Sequence, residues 1–578
     1  MFIFVFLIVL LLVVNGRLTY LNIAKKDAYE IQVLNQQQYS SKTLPYKRGD
    51  ILDRNGNLLA TSVKVYNLIL DPKIILSNKN YKKPTLAALT SCFKDLKKEE
   101  LQTILDEKKT SSYVVLKKKL SYEDIKAFLD IQNNTKENPN VKGVWFETEY
   151  QRSYPYSTLA CSVIGFANSS NVASLGIEGY YSDELNGING REYGYLDDSN
   201  NMEKVTKNPT DGNTVISTID MKIQSTVEKK IASYQKQIKA KSISVVIANP
   251  NNGEILAMAG DKTFDLNSPT DLTGYYSKSA IAKMTEKQKS DALNEIWKNA
   301  IVTDAFEPGS TMKPFTISMA LEENLVNEND TYVCDGKETV GKTTIDCNGV
   351  HGTVTLKQAI AISCNDALMQ VGAKIGKDKF CQYQRNFGFG SKTGIDLPQE
   401  AAGMLYSESS MSNVDLATNA FGQNFTLNMI QMTAGFSSLV NGGKYYTPHV
   451  VKQVKNSKGS LVRNVEANEV KQTITEDTSE FIKDGLRMVV TEGTGSKAAI
   501  KGYDIGGKTG TAEKLPRGNN EYMLSFIGCV PCKKPEVVCY VVIDTPKENP
   551  SDSEYATQLF QNIMKEVLPY MNIYKSGS

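Results

Sequence analysis

The stretch EPGSTMKPFT, Glu307–Thr316, places a serine and a lysine three residues apart. Proline has no backbone N–H, so Pro314 is tolerated only in the first turn of a helix. The helix is therefore predicted to begin at or just after Gly309, with Ser310 at its N-terminal end. Side chains three residues apart share one face of a helix, so Ser310 and Lys313 can touch. The stretch is compatible with a serine nucleophile and a neighbouring base. Because Ser-x-x-Lys is common, the stretch alone is equally compatible with an unrelated serine and lysine on a surface helix.

The predicted base is lysine rather than histidine. A serine hydroxyl needs a base within hydrogen-bond reach, and lysine can serve where a cationic, partly dry site keeps it neutral part of the time. The chain has two histidines, His351 and His449, and no Gly-x-Ser-x-Gly that could pair with either of them. His351 precedes Gly352 at a predicted turn, which favours a structural role. No His-Glu-x-x-His or comparable motif is present, so neither a metal nor a cofactor is predicted.

A second polar motif follows at a predicted junction between two helices. TLKQ, Thr355–Gln358, is a capping box that opens a helix. That helix reaches Ser363-Cys364-Asn365, where a second helix rich in Ala, Leu and Val begins. The side chains of Ser363 and Asn365 can therefore point into a cleft, whereas Cys364 is expected to face the core.

The third motif is the glycine-rich stretch GGKTGTAEK, Gly506–Lys514. Glycines in a strand allow another backbone to approach closely. Lys508 supplies a cation, and Thr509 and Thr511 supply hydroxyl groups. Such a strand is suited to binding a peptide that ends in a carboxylate.

Length and charge limit the classes of protein to consider. A chain of 578 residues predicts two or three domains. The 66 basic residues nearly balance the 64 acidic ones, giving a net charge of +2, and this argues against electrostatic binding of nucleic acid. Nine cysteines, an odd number, do not indicate a disulfide framework in a chain this long. Cys334 and Cys347 flank a Gly/Lys/Thr-rich loop and can form a disulfide if the domain lies outside the cell.

The chain opens with fourteen consecutive apolar residues, MFIFVFLIVLLLVV. Because a bilayer core takes about 20 apolar residues, Met1–Ile23 is interpreted as a slightly short membrane-spanning helix. No Ala-x-Ala-like site follows, which favours an uncleaved anchor over a signal peptide. Basic residues follow this segment and none precedes it, which opposes the positive-inside rule for an exported C-terminus. A start codon further upstream would explain both its shortness and the missing basic residues.

After the predicted anchor, which ends at residue 24, the sequence predicts two further segments that meet at residue 210. Residues 25–210 form an N-terminal domain in which Asn55-Gly56 marks a tight turn between strands. Residues 211–578 change to an α/β pattern. It combines an antiparallel sheet covered by helices, a mainly helical insert between about Glu307 and Val490, and a final helix whose apolar residues recur at helical spacing. The predicted strands are Ile243–Ala248, Glu254–Ala259, Tyr503–Ala512, Met523–Val530 and Glu536–Asp544.

Ser-x-x-Lys, Ser-x-Asn and Lys-Thr-Gly occur here in the order and placement of the penicillin-binding protein and serine β-lactamase superfamily. The sequence most resembles the monofunctional class B penicillin-binding proteins, and the resemblance covers nearly the whole chain. Further stretches that match are RGDILDRNGNLLA (Arg48–Ala60), STIDMKIQ (Ser217–Gln224), ANPNNGEILAMAG (Ala248–Gly260), TGIDLP (Thr393–Pro398), FGQNFT (Phe421–Thr426) and TEGTGSKA (Thr491–Ala498).

The resemblance implies a fold and a reaction. The fold would be a transpeptidase domain, 211–578, on an elongated N-terminal pedestal of the penicillin-binding protein dimerisation type, 25–210, with a membrane anchor, 1–24. The reaction would be D,D-transpeptidation of peptidoglycan stem peptides outside the membrane. In it, Ser310 would attack the penultimate D-Ala carbonyl of a D-Ala-D-Ala terminus, and Lys313 would take the hydroxyl proton.

The remaining roles also follow from the resemblance. Ser363 would pass a proton towards the leaving amine, and Asn365 would hold the donor peptide and Lys313. The backbone N–H groups of Ser310 and Thr511 would form the oxyanion hole. The terminal carboxylate would be bound by the third motif: Lys508, Thr509, Gly510 and Thr511. β-Lactams, which mimic the dipeptide, would acylate the same serine.

Three alternatives remain open. A class A β-lactamase needs a glutamate in Glu-x-x-x-Asn, and no such pattern lies between Asn365 and Lys508. The other two are a β-lactam sensor on the same scaffold and a wall-complex scaffold that has lost activity.

Among transpeptidase roles, the spacing between the anchor and RGDILDRNG favours division or sporulation over elongation. The expected protein partner is a polytopic membrane glycosyltransferase.

Overall fold

The computed structural model describes residues 40–196 and 202–574, with a few positions between residues 10 and 19. In this described part, no helix combines the length and the apolarity needed to cross a bilayer. The predicted anchor, residues 1–24, lies outside the described residues apart from those few positions. The chain divides into two compact units, of which one comprises residues 1–49, 62–152 and 183–213 and the other residues 50–61, 153–182 and 214–578.

The first unit packs helices against strands around its own apolar core. Leu68, Leu89 and Phe128 are fully buried in it. The Lys- and Asn-rich stretch after the first long strand, Leu58–Leu70, therefore folds into regular elements despite its polar composition. Its helices are Pro72–Ser77, Lys82–Cys92, Lys98–Glu107 and Tyr122–Asn133, and its strands are Val114–Leu120 and Val144–Ser153. A separate antiparallel sheet of this unit is formed by Ser40–Leu44, Gly190–Leu196 and Met202–Lys207.

A five-stranded antiparallel sheet organises the second unit. Its order, from one edge to the other, is Ile255–Gly260, Ser242–Ala248, Val537–Asp544, Tyr522–Val530 and Gly506–Glu513. These strands confirm the five predicted from apolar runs, with boundaries shifted by up to three residues. No described strand pairs with the outer edge of Gly506–Glu513. The Lys-Thr-Gly motif therefore lies on an edge strand.

One face of this sheet is covered by the helices Met221–Ile238 and Glu554–Tyr570. The rings of Phe526 and Phe560 meet edge to face with their centroids 4.8 Å apart. Full burial of one phenylalanine side chain contributes roughly 1.5–3 kcal/mol to the stability of the folded state. The apolar stripe predicted for the last helix is confirmed, because all of its members are buried: Ala556, Leu559, Phe560, Ile563, Met564 and Val567.

The segment between Glu307 and Val490 is mainly helical, as predicted. Its helices are Lys313–Glu322, Leu356–Ala361, Asn365–Ile375, Lys377–Asn386, Asn413–Ala420, Met429–Val440 and Glu476–Thr491. Three short antiparallel strand pairs interrupt them. These pairs are Thr331–Cys334 with Gly352–Thr355, Lys337–Val340 with Thr343–Asp346, and Lys444–Tyr446 with Glu469–Gln472.

A seven-stranded sheet contains the predicted Asn55-Gly56 turn. The strands on either side of the turn are Ile51–Leu52 and the start of Leu58–Leu70, and Ile51–Leu52 also pairs in parallel with Thr214–Ser217. The sheet continues through Val451–Lys455 to Leu461–Asn464.

The polar stretch before Ser310 folds into the helices Lys278–Lys283, Glu286–Trp297 and Ala300–Thr303. Trp297 anchors it through a 2.8 Å hydrogen bond from Nε1 to the carbonyl of Pro269.

Candidate active site

The segment that contains Ser310 begins with a 3₁₀ turn, Gly309–Met312, and continues as the α-helix Lys313–Glu322. Pro314 is in the first turn of this helix, as its missing N–H requires. The predicted helix start is confirmed, with the difference that Ser310 lies on the tighter turn before the α-helix. Ser310 is partly exposed, whereas the side chain of Lys313 is fully buried.

Two glycines allow this turn to approach the neighbouring backbone closely. Gly309 has φ +57°, and a Cβ there would lie 2.8 Å from the carbonyl oxygen of Thr511. Gly422 has φ +95°, and its Cβ would lie 1.8 Å from the carbonyl oxygen of Gly309. The N–H of Gly309 also donates to the carbonyl of Gly422 at 2.9 Å. The FGQNFT loop therefore holds the turn that contains Ser310 against the Lys-Thr-Gly strand.

Lys313 joins the first motif to the second. Its Nζ lies 3.0 Å from Ser363 Oγ, 2.5 Å from the Ser363 carbonyl oxygen and 2.7 Å from Asn365 Oδ1. Burial lowers the pKa of Lys313 to about 7, although negative charge on the Cys347 and Cys364 thiols acts in the opposite direction. Near neutral pH, a substantial fraction of Lys313 is therefore uncharged and able to accept a proton.

Ser363 follows the helix Leu356–Ala361, whose predicted capping box, Thr355 with Gln358, is confirmed. Its φ of +61° is in the left-handed region, which costs a residue other than glycine about 1–3 kcal/mol. This conformation is held in place by contacts to two lysines.

Lys508 brings the third motif to the same hydroxyl. Its Nζ lies 3.1 Å from Ser363 Oγ and 3.0 Å from the Thr509 carbonyl oxygen. Burial lowers the pKa of Lys508 well below its ordinary value, and the nearby charge of Lys313 lowers it further. All three motifs therefore meet at one serine hydroxyl, and the charge of Lys313 weakens the tendency of Lys508 to carry a proton.

The Lys-Thr-Gly strand is supported by a residue that the sequence analysis did not single out. Thr494 Oγ1 lies 2.7 Å from Thr509 Oγ1, and the N–H of Thr494 donates to the carbonyl of Ala361 at 3.2 Å. Thr494 belongs to the TEGTGSKA stretch, which was noted only as a family resemblance. At Gly510, a Cβ would lie 2.4 Å from Ser525 Oγ and 3.0 Å from the carbonyl oxygen of Pro308. The motif needs glycine there for this close approach.

Four side chains beside the second motif can hold a metal ion, and the sequence analysis missed this cluster. They are Cys334, Cys347, His351 and Cys364, and their ligand atoms all lie within 4.8 Å of one another. Cys334 and Cys347 are free thiols, so they do not form the disulfide that the sequence had left as a possibility. Cys364 is buried as expected, but its Sγ contributes to the cluster. The signal in the sequence was Cys-x₁₂-Cys-x₃-His-x₁₂-Cys, in which the last cysteine is the middle residue of Ser-x-Asn.

The geometry of the cluster fits tetrahedral zinc. Zinc binds sulfur at about 2.3 Å and nitrogen at about 2.0 Å. In a tetrahedral site, two sulfur ligands therefore lie roughly 3.8 Å apart, and a sulfur and a nitrogen ligand lie roughly 3.5 Å apart. Cys347 Sγ lies 3.9 Å from Cys364 Sγ and 3.7 Å from His351 Nδ1, and Cys334 Sγ lies 3.3 Å from the same nitrogen. The N–H of Asn365 also donates to Cys347 Sγ at 3.1 Å, which favours the thiolate that zinc requires.

Purified under reducing conditions, the protein is expected to carry about one zinc ion per chain. Replacement of Cys347 by serine should abolish stoichiometric zinc and lower the thermal midpoint, because bound metal stabilises the folded state. The matched control is Cys92→Ser, whose thiol lies in the other unit and should leave the zinc content unchanged. Elemental analysis and thermal unfolding measure both quantities. Equal zinc content in the two variants would contradict this assignment.

Comparison with known proteins agrees with the geometry. Residues 243–565 match the penicillin binding protein transpeptidase domain, and residues 43–217 match the penicillin-binding protein dimerisation domain. The chain belongs to the penicillin-binding protein transpeptidase family. It is a serine-type peptidoglycan D,D-transpeptidase, and its resemblance to the class B penicillin-binding proteins is confirmed.

The similarity to individual relatives covers most or nearly all of this penicillin-binding protein. Stage V sporulation protein D of Bacillus subtilis is 32% identical over 588 residues, which cover 99% of this chain and 86% of that protein. The probable peptidoglycan D,D-transpeptidase PenA of Neisseria meningitidis is 28% identical over 521 residues, which cover 88% of this chain and 81% of that protein. A peptidoglycan synthetase from Bifidobacterium adolescentis has the same fold, with a TM-score of 0.75 at 22% identity over 93% of this chain and 98% of that one.

Proposed function

We propose that Ser310 is the nucleophile of this D,D-transpeptidase and that Lys313 is its general base. The observation that carries the proposal is the convergence of Lys313 and Lys508 on the hydroxyl of Ser363, 3.0 and 3.1 Å away. Both cations are desolvated, so part of the Lys313 population is neutral and can remove the proton of Ser310.

The reaction balances with residues of this chain. Ser310 Oγ bonds to the penultimate D-Ala carbonyl carbon while its proton passes to Lys313 Nζ. The C–N bond to the terminal D-Ala then breaks, and the leaving nitrogen takes a proton relayed through Ser363. The amine of a second stem peptide attacks the ester carbon, and Ser310 Oγ recovers a proton as the new amide forms.

Substrate binding is assigned to the edge strand. Lys508 and the hydroxyls of Thr509 and Thr511 bind the terminal carboxylate of the donor, while Asn365 holds the donor amide and Lys313. The backbone N–H groups of Ser310 and Thr511 form the oxyanion hole, for which one donor is worth roughly 2.7–4 kcal/mol in comparable acyl transfer.

The physiological role that we propose is cross-linking during sporulation or division. The similarity to stage V sporulation protein D supports sporulation. In this proposal, residues 1–24 anchor the protein in the membrane, the catalytic domain is extracytoplasmic, and a polytopic membrane glycosyltransferase supplies the glycan strand. β-Lactams acylate Ser310 as mimics of D-Ala-D-Ala.

Incubation with a stem peptide ending in D-Ala-D-Ala and an excess of an amine acceptor tests the reaction. We expect release of free D-Ala together with a new amide product, both detected by mass spectrometry, and neither with Ser310→Ala. Rapid catalytic turnover of benzylpenicillin without any amide product would instead indicate a β-lactamase. Full D-Ala release by the Ser310→Ala variant would refute the assigned nucleophile.

A further inference from the structure

A short helix of the first unit, Pro72–Ser77, exposes two aliphatic side chains. Ile74 is 45% and Leu76 is 36% exposed, whereas Ile75 between them is fully buried in the core of the unit. Single exposed apolar residues are ordinary on a protein surface. The neighbours of these two side chains therefore decide whether they mark a contact surface.

An exposed aromatic residue lies beside this helix. The N–H of Lys73 donates to the carbonyl of Ser111 at 3.1 Å, and Ser111 Oγ donates to the carbonyl of Tyr113 at 3.1 Å. Tyr113 is 49% exposed, and its ring lies against that of Trp145 with the centroids 5.8 Å apart. Its hydroxyl donates to Glu147 Oε2 at 2.7 Å. An apolar ring with a polar end is suited to the boundary between water and an apolar phase.

Lysines outnumber carboxylates around these side chains. Three carboxylates belong to the same elements, those of Asp106, Glu107 and Glu147, and they leave an excess of two positive charges. In the part of the chain that the structure describes, none of the lysines forms an ion pair. The surface therefore favours a partner that is anionic and also offers apolar contact. The five lysines, all exposed, are Lys73, Lys79, Lys108, Lys109 and Lys142 — all but Lys82, which is half-buried, among those at this end of the helical layer.

The predicted membrane anchor lies a short distance away along the chain. Residues 25–39 separate its end from Ser40–Leu44, the first strand of this unit, and fully extended they span at most roughly 50 Å. Lys42 of that strand lies over the ring of Trp145, with its Nζ 5.8 Å from the centroid. Through Trp145 the strand adjoins Tyr113. A bilayer that holds the anchor is therefore within reach of this surface.

We propose that Ile74, Leu76 and Tyr113, with the five lysines around them, form a second contact with the anionic surface of the membrane that holds the anchor. The aliphatic side chains and the tyrosine ring enter the interfacial region, and the ammonium groups bind lipid phosphates. A lipid surface is favoured over an acidic protein because the anchor keeps it at a high local concentration. Together, the anchor and this contact fix the orientation of the first unit to the bilayer. The inference rests on the membrane anchoring in the proposed function and not on the catalytic residues.

Two sets of lysine substitutions separate a specific contact from general surface charge. One lysine close to an anionic surface changes the binding equilibrium about fivefold. Replacement of Lys73, Lys108 and Lys109 by glutamine should therefore lower the contact equilibrium about 100-fold. The matched control replaces Lys94, Lys97 and Lys98, three exposed lysines at the opposite end of the helix Lys98–Glu107, and should leave the contact unchanged.

Tryptophan fluorescence of the full chain, reconstituted into vesicles, reports on the contact. The chain has two tryptophans, Trp145 and Trp297, and both are replaced by phenylalanine. Ile74→Trp then carries the single indole, and Ile188→Trp is the control, because Ile188 is 61% exposed in the same unit. We expect phosphatidylglycerol with brominated acyl chains to quench Ile74→Trp but not Ile188→Trp. Brominated phosphatidylcholine should quench neither.

Loss of the quenching in the Lys73/Lys108/Lys109 variant, with retention in the Lys94/Lys97/Lys98 variant, would support the proposal. Equal quenching of Ile74→Trp and Ile188→Trp, or of Ile74→Trp in the two lipids, would overturn it. So would unchanged quenching after removal of Lys73, Lys108 and Lys109.

Flotation of the same vesicles and acylation by benzylpenicillin distinguish this failure from failure of the proposed function. A chain that floats with the vesicles but shows no quenching overturns the contact, leaves the anchoring intact and points to an acidic protein as the partner of the lysines. A chain that does not float with the vesicles refutes the anchoring and the contact with it. Acylation, expected at the wild-type rate in every sample, tests the catalytic assignment independently of both.

Discussion

Replacement of Lys313 by methionine is expected to slow acylation of Ser310 by benzylpenicillin by about 10²–10⁴-fold, the usual contribution of a positioned general base. Methionine preserves the length and burial of the side chain but cannot accept a proton. It also leaves Asn365 Oδ1 and the Ser363 carbonyl without the donor that now lies 2.7 and 2.5 Å away. Stopped-flow or quenched mass measurements of the acylation rate, with thermal unfolding to check the fold, provide the readout.

The pH dependence of the same rate distinguishes a base from a purely structural lysine. Because burial lowers the pKa of Lys313 to about 7, the unprotonated base becomes scarcer below that pH. The wild-type rate should therefore fall about tenfold for each pH unit below 7 and level off above it. In Lys313→Met, this dependence should disappear.

The chain offers a matched control in a second Lys-Thr-Gly, Lys392–Gly394. Lys392 is exposed, and Thr393 of this copy donates its hydroxyl to Glu400 at 2.7 Å. Lys392→Met should therefore leave the acylation rate and its pH profile unchanged. A Lys313→Met variant that acylates at the wild-type rate would exclude Lys313 as the base.

The two copies of Lys-Thr-Gly also show what the sequence could predict. Both copies follow Ser-x-x-Lys and Ser-x-Asn in the chain, and the copy at Lys508 is distinguished by the predicted glycine-flanked strand, Gly506–Glu513 in the structure. Its contact with Ser363 joins residues 145 positions apart. The local sequence pattern cannot predict a contact between residues so far apart in the chain, because the fold of the whole domain brings them together.

The cysteine cluster was missed for the same physical reason. Cys334, Cys347 and His351 lie on or beside short strands, whereas Cys364 caps the helix Asn365–Ile375 through its Sγ. Only the packing of these strands against that helix brings the four ligand atoms together.

Removal of the nucleophile is expected to have the largest effect of any substitution. Ser310→Ala should eliminate acylation, comparable to the roughly 10⁶-fold losses seen when a catalytic serine is removed from a serine protease. The change deletes a single partly exposed oxygen, so the fold, the zinc content and the contacts between Lys313 and Ser363 should persist. Loss of activity in this variant therefore reports on chemistry rather than on stability.

The most direct test is the intact mass of wild type and Ser310→Ala during incubation with benzylpenicillin over several hours. We expect one covalent penicilloyl group on the wild type, stable throughout and mapped to the peptide that contains Ser310, and no adduct on the variant. An adduct of equal extent on Ser310→Ala would contradict the account by placing the nucleophile elsewhere. A wild-type adduct that disappears within seconds would contradict it by showing β-lactamase turnover.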